Sequence, residues 1–245
     1  FPNSTEQALY TIHHAGGETT IAVNQTMGGG TWIYLGNFKF TAHEQAHERI
    51  VLTNQSNKSG KIITADAIKI GGGMGNIARS PLESPYPIEA ETSGYPRFTE
   101  AARYWLQWAG IPDSIYSKSA FRNDYQDDIY ARPQWVNYLK EQTHIPIDMA
   151  FAFHSDAGTT PDDSIIGTLG IYMSKSNDGI YTNRKSREIA RDLTDMIQTQ
   201  ILSDVRKVYN PQWSRRGMWN QSYIEARIPD VPTMLLELLS HQNFA

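Results

Sequence analysis

Two side chains stand where chemistry is feasible, His154 and Glu237. His154 follows an apolar run in which Ile147, Met149, Phe151 and Phe153 alternate with Asp148, Ala150 and Ala152, and a small polar tip, Ser155-Asp156-Ala157-Gly158, comes after it. The run predicts a buried strand covered on both faces. A histidine where such a strand meets its loop lies at the carboxyl edge of a sheet, where open α/β folds bind ligands. Glu237 is the single carboxylate in a second apolar run, Pro232 to Leu239. A buried carboxylate is costly unless a metal, a cation or a proton satisfies it. Arg227, a few residues upstream, is the nearest candidate cation, and a plain salt bridge is the alternative to catalysis for Glu237. For His154 the alternative is a structural role.

The elements that must carry these residues fall in the second half of the chain. Phe98 to Ala109 places Ala101, Ala102, Trp105, Leu106, Trp108 and Ala109 at helical spacing, with Thr99 as N-cap and Gly110 as stop. A second amphipathic helix is predicted over 132–142 and the strand ending at His154 follows. After a loop at Asp162-Asp163 comes a strand over 165–173. Ser186 to Val208 is the longest helix, with Ile189, Leu193, Met196, Ile197, Ile201, Val205 and Val208 as its buried face. A loop with Trp213, Arg215, Arg216 and Trp219 leads through Tyr223, Glu225 and Arg227 to the last strand. Helices alternating with apolar strands predict an α/β open sheet with flanking helices.

The first 73 residues read differently. Leu9–His13, Thr20–Val23, Thr31–Leu35, Phe38–Phe40, Arg49–Leu52 and Lys61–Ile63 are short, β-branched and aromatic, and glycine- and asparagine-rich turns separate them. They predict an all-β sandwich without helix. Residues 74–97, with Pro81, Pro85, Pro87 and Pro96, read as a linker. The expected organisation is therefore a β domain over 1–73 and an α/β domain over 98–245.

Composition narrows the chemistry. The chain has 245 residues, 40% hydrophobic, with a net charge of −4, so nothing favours a nucleic-acid partner. It has no cysteine, so disulfides and thiolate metal sites are excluded and any metal must use His, Asp or Glu. No run is apolar enough to span a membrane. His13-His14-Ala15-Gly16-Gly17 invites a metal reading but lies inside the β pattern, so a strand end and hairpin account for it. His43 and His47 have chelating spacing but fall in a polar stretch, which favours solvated loop. Gly71 to Gly75 lacks the strand-to-helix setting of a dinucleotide site and reads as linker.

Val23-Asn24-Gln25, Gly30-Thr31-Trp32-Ile33-Tyr34-Leu35-Gly36-Asn37-Phe38-Lys39-Phe40 and Ala65-Asp66-Ala67-Ile68-Lys69-Ile70 resemble the golvesin C-terminal-like domain, which also accompanies polysaccharide lyases such as xanthan lyase. The resemblance implies a jelly-roll sandwich associated with glycans.

Phe151-Ala152-Phe153-His154-Ser155-Asp156-Ala157 and Pro232-Thr233-Met234-Leu235-Leu236-Glu237-Leu238-Leu239-Ser240-His241-Gln242-Asn243 resemble the strand ends of zinc-dependent N-acetylmuramoyl-L-alanine amidases. The resemblance runs over about residues 98–243. It implies one zinc ion, with His154 as a metal ligand and Glu237 as the catalytic acid/base. His241, Asp156 and Arg227 are the candidates for substrate binding. It also implies a periplasmic or secreted bacterial protein whose partner is peptidoglycan or another glycan. The chemistry is coherent: amide hydrolysis needs an activated water and a stabilised oxyanion, which an open zinc site supplies. A carboxylate beside that water can take its proton and pass one to the leaving amine. Glu237, in an apolar strand, should have the raised pKa this shuttle needs.

One departure matters. The amidases have two further ligands, a His in a Gly-His-Gly-Gly tip and a Glu beyond it, and neither motif stands here. The expectation is that they lie upstream, with the β domain inserted into the amidase fold and the α/β domain incomplete; Glu91 and Glu100 are weaker substitutes. Two rival readings remain. One is a non-catalytic glycan-binding protein, in which Trp32, Tyr34, Trp213 or Trp219 stack on sugars; the other is a polysaccharide lyase-associated module.

Overall fold

The computed structural model describes residues 3–41, 47–71, 95–156 and 167–240. In the first part, β1 (Ala8–His14) and β2 (Gly17–Val23) form an antiparallel hairpin, and β3 (Arg49–Leu52) pairs with the other edge of β1, giving the order β2-β1-β3. Alternation explains the hairpin: Ala8 and Ile12 are buried while their neighbours are partly exposed. Across its tip His13 pairs with Glu18 at 3.3 Å and His14 Nε2 meets Thr19 Oγ1 at 3.0 Å. These two histidines therefore close a hairpin. His47 is exposed; His43 lies outside the described residues.

The predicted sandwich is only partly present. Among the described residues there is one three-stranded sheet and no helix before Arg97. Segments 31–35 and 38–40 form no ladder, and 61–63 contributes a single bridge between Ile62 and Ser4. Glycine geometry and competing partners explain the loss. Gly28, Gly30 and Gly36 take positive φ, which breaks an extended run. Trp32 N then bonds Ala109 O at 2.7 Å, and the Tyr34 ring meets Phe98, Trp105 and Trp108 with centroids 5.3–6.1 Å apart.

The second part opens with a turn of 3₁₀ helix at Arg97–Thr99, then α1 (Ala102–Trp108), α2 (Asp113–Tyr116) and α3 (Asp124–Glu141). Thr99 is not the cap: α1 starts after an extended Ala101, and the Thr99 hydroxyl bonds Pro96 O. α3 begins eight residues before the predicted start at 132, because Asn123 caps it by accepting from Gln126 N at 3.0 Å. Pro133 sits inside it. Leu106, Ala109, Ile111, Tyr116 and Ala131 form the core of this helical layer.

The remaining elements are β4 (Ala150–Asp156), β5 (Thr168–Tyr172), α4 (Glu188–Val208), β6 (Arg215–Asn220), the single turn α5 (Ile224–Arg227) and β7 (Thr233–Ser240). The strands make one mixed sheet in the order β4-β7-β5-β6, with β4 parallel to β7, β5 antiparallel to β7 and β5 parallel to β6. Helices flank both faces, so this half is α/β. β7 is central, and Met234, Leu235 and Leu236 are at most 2% exposed.

β4 differs from the expectation of burial on both faces. It is an edge strand among the described residues: Ala152 packs against Leu169, Ile171 and Leu235, but Met149, Phe151 and Phe153 are 56%, 49% and 63% exposed. α4 is also turned from its apolar stripe. Its buried residues are Ala190, Thr194, Gln198 and Leu202, while Met196 and Val208 are exposed. Gly170 of β5 is the reason: a Cβ there would stand 2.5 Å from Thr194 Cγ2, so the helix sits close and turns small and polar residues to the sheet. Gln198 exploits the approach, donating from Nε2 to Thr168 O at 2.7 Å and Gly217 O at 2.9 Å.

No helix of the described residues is long and apolar enough to cross a membrane.

Candidate functional site

The register of β4 and β7 places His154 directly opposite Glu237. Partners on neighbouring strands are about 4.8 Å apart and face the same side, so two residues 83 positions apart in the chain become neighbours. His154 does not end its strand, as the sequence suggested. The strand continues through Ser155 and Asp156, and a bulge on β7 then brings Asp156 opposite Ser240.

Three residues not assigned to the site from sequence complete the cluster. Glu225 of α5 accepts from His154 Nε2 at 2.9 Å; a carboxylate has no proton to give, so Nε2 carries the hydrogen. Arg132 of α3 donates from Nη1 to both oxygens of Glu225 at 3.2 Å and pairs with Asp128 one turn earlier on its own helix at 3.3 Å. Arg216 of β6 pairs with Asp156 at 2.5 Å. It is the extra residue of the β5–β6 bulge, where Thr168 faces Arg215 and Leu169 faces Gly217. Glu225 and Arg216 stood in the stretch leading to the last strand, but no spacing there tied them to His154 or Asp156. The only signal was charge close to a strand that carries an isolated glutamate.

Electrostatics separates the two principal side chains. The hydrogen bond to Glu225 raises the His154 pKa; burial opposes this, and the charges of Glu225 and Glu237 add to it. Burial raises the Glu237 carboxyl above its ordinary value; Asp156 and Glu225 push it further, while His154 and Arg216 pull it down. Glu237 Oε2 and Arg216 Nη1 are buried and bond to no described residue. The other sequence candidates are less central. Arg227 lies on α5 and makes no ion pair with Glu237 among the described residues; Arg216 is the cation beside that carboxylate. His241 and Glu91 lie outside the described residues. Glu100 stands in the turn before α1.

The donor chemistry suits zinc only in part. His154 and Glu225 are nitrogen and oxygen donors of the kind zinc takes. Among the described residues, however, no three His, Asp or Glu side chains come close enough to enclose an ion.

A cleft of about 530 Å³ lies apart from this cluster, between the β1–β3 face and segments 31–40 and 66–71. Trp32, Tyr34, Phe38 and Trp108 line it together with Asn37 and Asp66. Lys69 Nζ lies 5.6 Å from the Trp32 ring centroid and 5.0 Å from that of Trp108. Trp213, by contrast, is buried and donates to Thr168 Oγ1 at 2.8 Å, which makes it core. Trp219 is 45% exposed at the outer strand β6.

Residues 1–72 match the family model of the Golvesin C-terminal domain. No curated protein matches this chain, and no solved structure matches it.

Proposed function

We propose that this chain belongs to a hydrolase that cleaves the amide between N-acetylmuramic acid and L-alanine in peptidoglycan, with Glu237 as acid/base and His154 as a metal ligand. The observation that carries the reading is the juxtaposition of these two residues on parallel strands, with burial raising the Glu237 pKa. A carboxylate whose pKa is raised takes up and passes on a proton more readily than an ordinary one, as a shuttle between an attacking water and a leaving amine must. Its buried Oε2, which bonds to no described residue, is the atom suited to that transfer. Zinc held by His154, with further donors beyond the described residues, would supply the Lewis acid. Arg216 keeps positive charge beside Glu237 and ties Asp156 down.

The test is a pair of variants of the full chain supplied with zinc. Glu237→Gln should keep the metal and lose release of peptide from peptidoglycan fragments. His154→Ala should lose both. Full activity in Glu237→Gln, or undiminished zinc in His154→Ala, refutes the reading.

The aromatic cleft favours a second role, glycan binding by the golvesin-like domain, which we read as a jelly-roll sandwich. Half-exposed Trp32 and Tyr34 offer ring faces, and Asn37 and Asp66 offer hydrogen-bonding groups at the same wall. A bacterial periplasmic or secreted location accords with both roles.

A further inference from the structure

We propose that two copies of this chain associate through α4 and the outer strand β4, the α4 helix of each lying in the trough between α4 and the β4 phenylalanines of the other. The inference is independent of the hydrolase reading. Phe153 pairs with Leu236 of β7, and Leu236 pairs with Gly170 of β5. Partners on neighbouring strands face the same side, and a Cβ on Gly170 would meet Thr194 of α4. Phe153, and Phe151 two residues before it, therefore lie on the α4 face of the sheet. The helix packs over β5, β6 and β7 and leaves both rings about half-exposed or more.

The apolar stripe of α4 borders the same space. Arg215 of β6 bonds Gln198, Thr199 and Asp195, so the flank carrying Asp195 and Thr199 leans over the outer strand β6. At about 3.6 residues per turn, Leu193 and Ile197 occupy the opposite flank, toward β4, with Ile189 and Met196 at its solvent rim. Leu193 and Ile197 are half-buried, and Ile189 and Met196 are exposed. From Ile189 to Ile197 the stripe runs about 12 Å at about 1.5 Å per residue, and Met149 to Phe153 spans about 13 Å at about 3.3 Å per residue. A helix and a strand thus wall one trough with apolar stretches of matched length.

Helices in one layer lie about 10 Å apart, two strand spacings of about 4.8 Å. With α4 centred on β5, a neighbouring helix would lie over β4, on the phenylalanines. The α4 of a second copy is such a helix, because its exposed stripe is the surface the trough needs, and a two-fold axis makes the contact reciprocal. The exposed parts of Met149, Phe151, Phe153, Ile189 and Met196 amount to about 500 Å², taking roughly 200 Å² for a whole large side chain. That is large for a patch on a monomer. Burying it on both copies removes about 1,000 Å² from water, the size from which an interface is specific. Edge-to-edge pairing of two β4 strands would not do this. About five strand spacings would then separate the two α4 helices, and the phenylalanines would still face water between them.

Sedimentation equilibrium of the full chain should show a concentration-dependent dimer in the micromolar range. Phe153→Asp and Met196→Asp should each weaken it about 30-fold or more, as loss of a central apolar anchor does. Val208→Asp, at an exposed residue of α4 beyond the stripe, should leave it unchanged. Thermal melting followed by circular dichroism checks that each variant is folded. The chain has no cysteine, so a mixture of Phe153→Cys and Met196→Cys chains should, on mild oxidation, give the mixed disulfide dimer in preference to either homodimer. A chain that stays monomeric, a dimer that withstands both aspartates in folded variants, or an excess of Phe153→Cys homodimer overturns the inference, the last in favour of edge-to-edge pairing. The cross-link does not require the aspartate variants to fold.

Discussion

Gln198→Met tests whether the bulge that aims Arg216 depends on α4. Gln198 is fully buried, and its amide joins three groups: Nε2 donates to Thr168 O and Gly217 O, and Oε1 accepts from Arg215 Nε at 2.9 Å. Those carbonyls belong to the interrupted ladder between β5 and β6. Methionine has nearly the same shape but offers neither donor. Two buried carbonyls would lose partners at about 1–3 kcal/mol each, offset in part by the apolar replacement, leaving a loss of about 2–4 kcal/mol. With a urea m-value of about 3 kcal/mol/M for a unit of this size, the midpoint should fall by roughly 1 M. Urea unfolding followed by circular dichroism measures it. Gln200→Met is the control, because Gln200 is exposed and, among the described residues, its side chain bonds Asp204 alone; its change should stay within about 0.5 kcal/mol. If Gln198→Met also stays within that margin, the bulge does not depend on the amide and the account of how Arg216 is positioned fails.

Gly167→Ala should destabilise by about 2 kcal/mol or more, since φ is +112° and a Cβ would stand 2.2 Å from Ser214 O; a lowered Tm checks it. Asp230→Asn should be pH-dependent. Burial pushes that carboxyl up, but bonds from Thr182 and Lys140 outweigh it, so the folded pKa lies below its ordinary value. The stabilisation is present above the unfolded pKa and is lost as pH falls through the folded one. The Tm gap between wild type and Asp230→Asn should therefore be wide at pH 7 and close in strong acid; a gap that persists there contradicts the assignment. Trp32→Ala should reduce retention on glycan columns by about 5–150-fold, the equivalent of about 1–3 kcal/mol for an aromatic stacking platform. Unchanged retention removes the cleft from glycan binding.

Much of the architecture was legible in the sequence because it rests on local periodicity. The apolar runs around Phe151 and Leu235 announced strands, the repeat from Ile189 to Val205 announced a long helix, and the first 72 residues carried a family pattern strong enough to match. The isolated Glu237 and His154 stood out because each breaks an otherwise apolar stretch. What local pattern does not encode is which strand lies beside which. Only the parallel pairing of β4 with β7 makes His154 and Glu237 partners, and only the packing of α3 and α5 brings Arg132 and Glu225 to that histidine. The turn of α4 toward Thr194 and Gln198 likewise depends on a glycine of β5. Sequence periodicity sets which face of an element is apolar; close approach between elements decides which face is buried, and through it where the charged side chains meet.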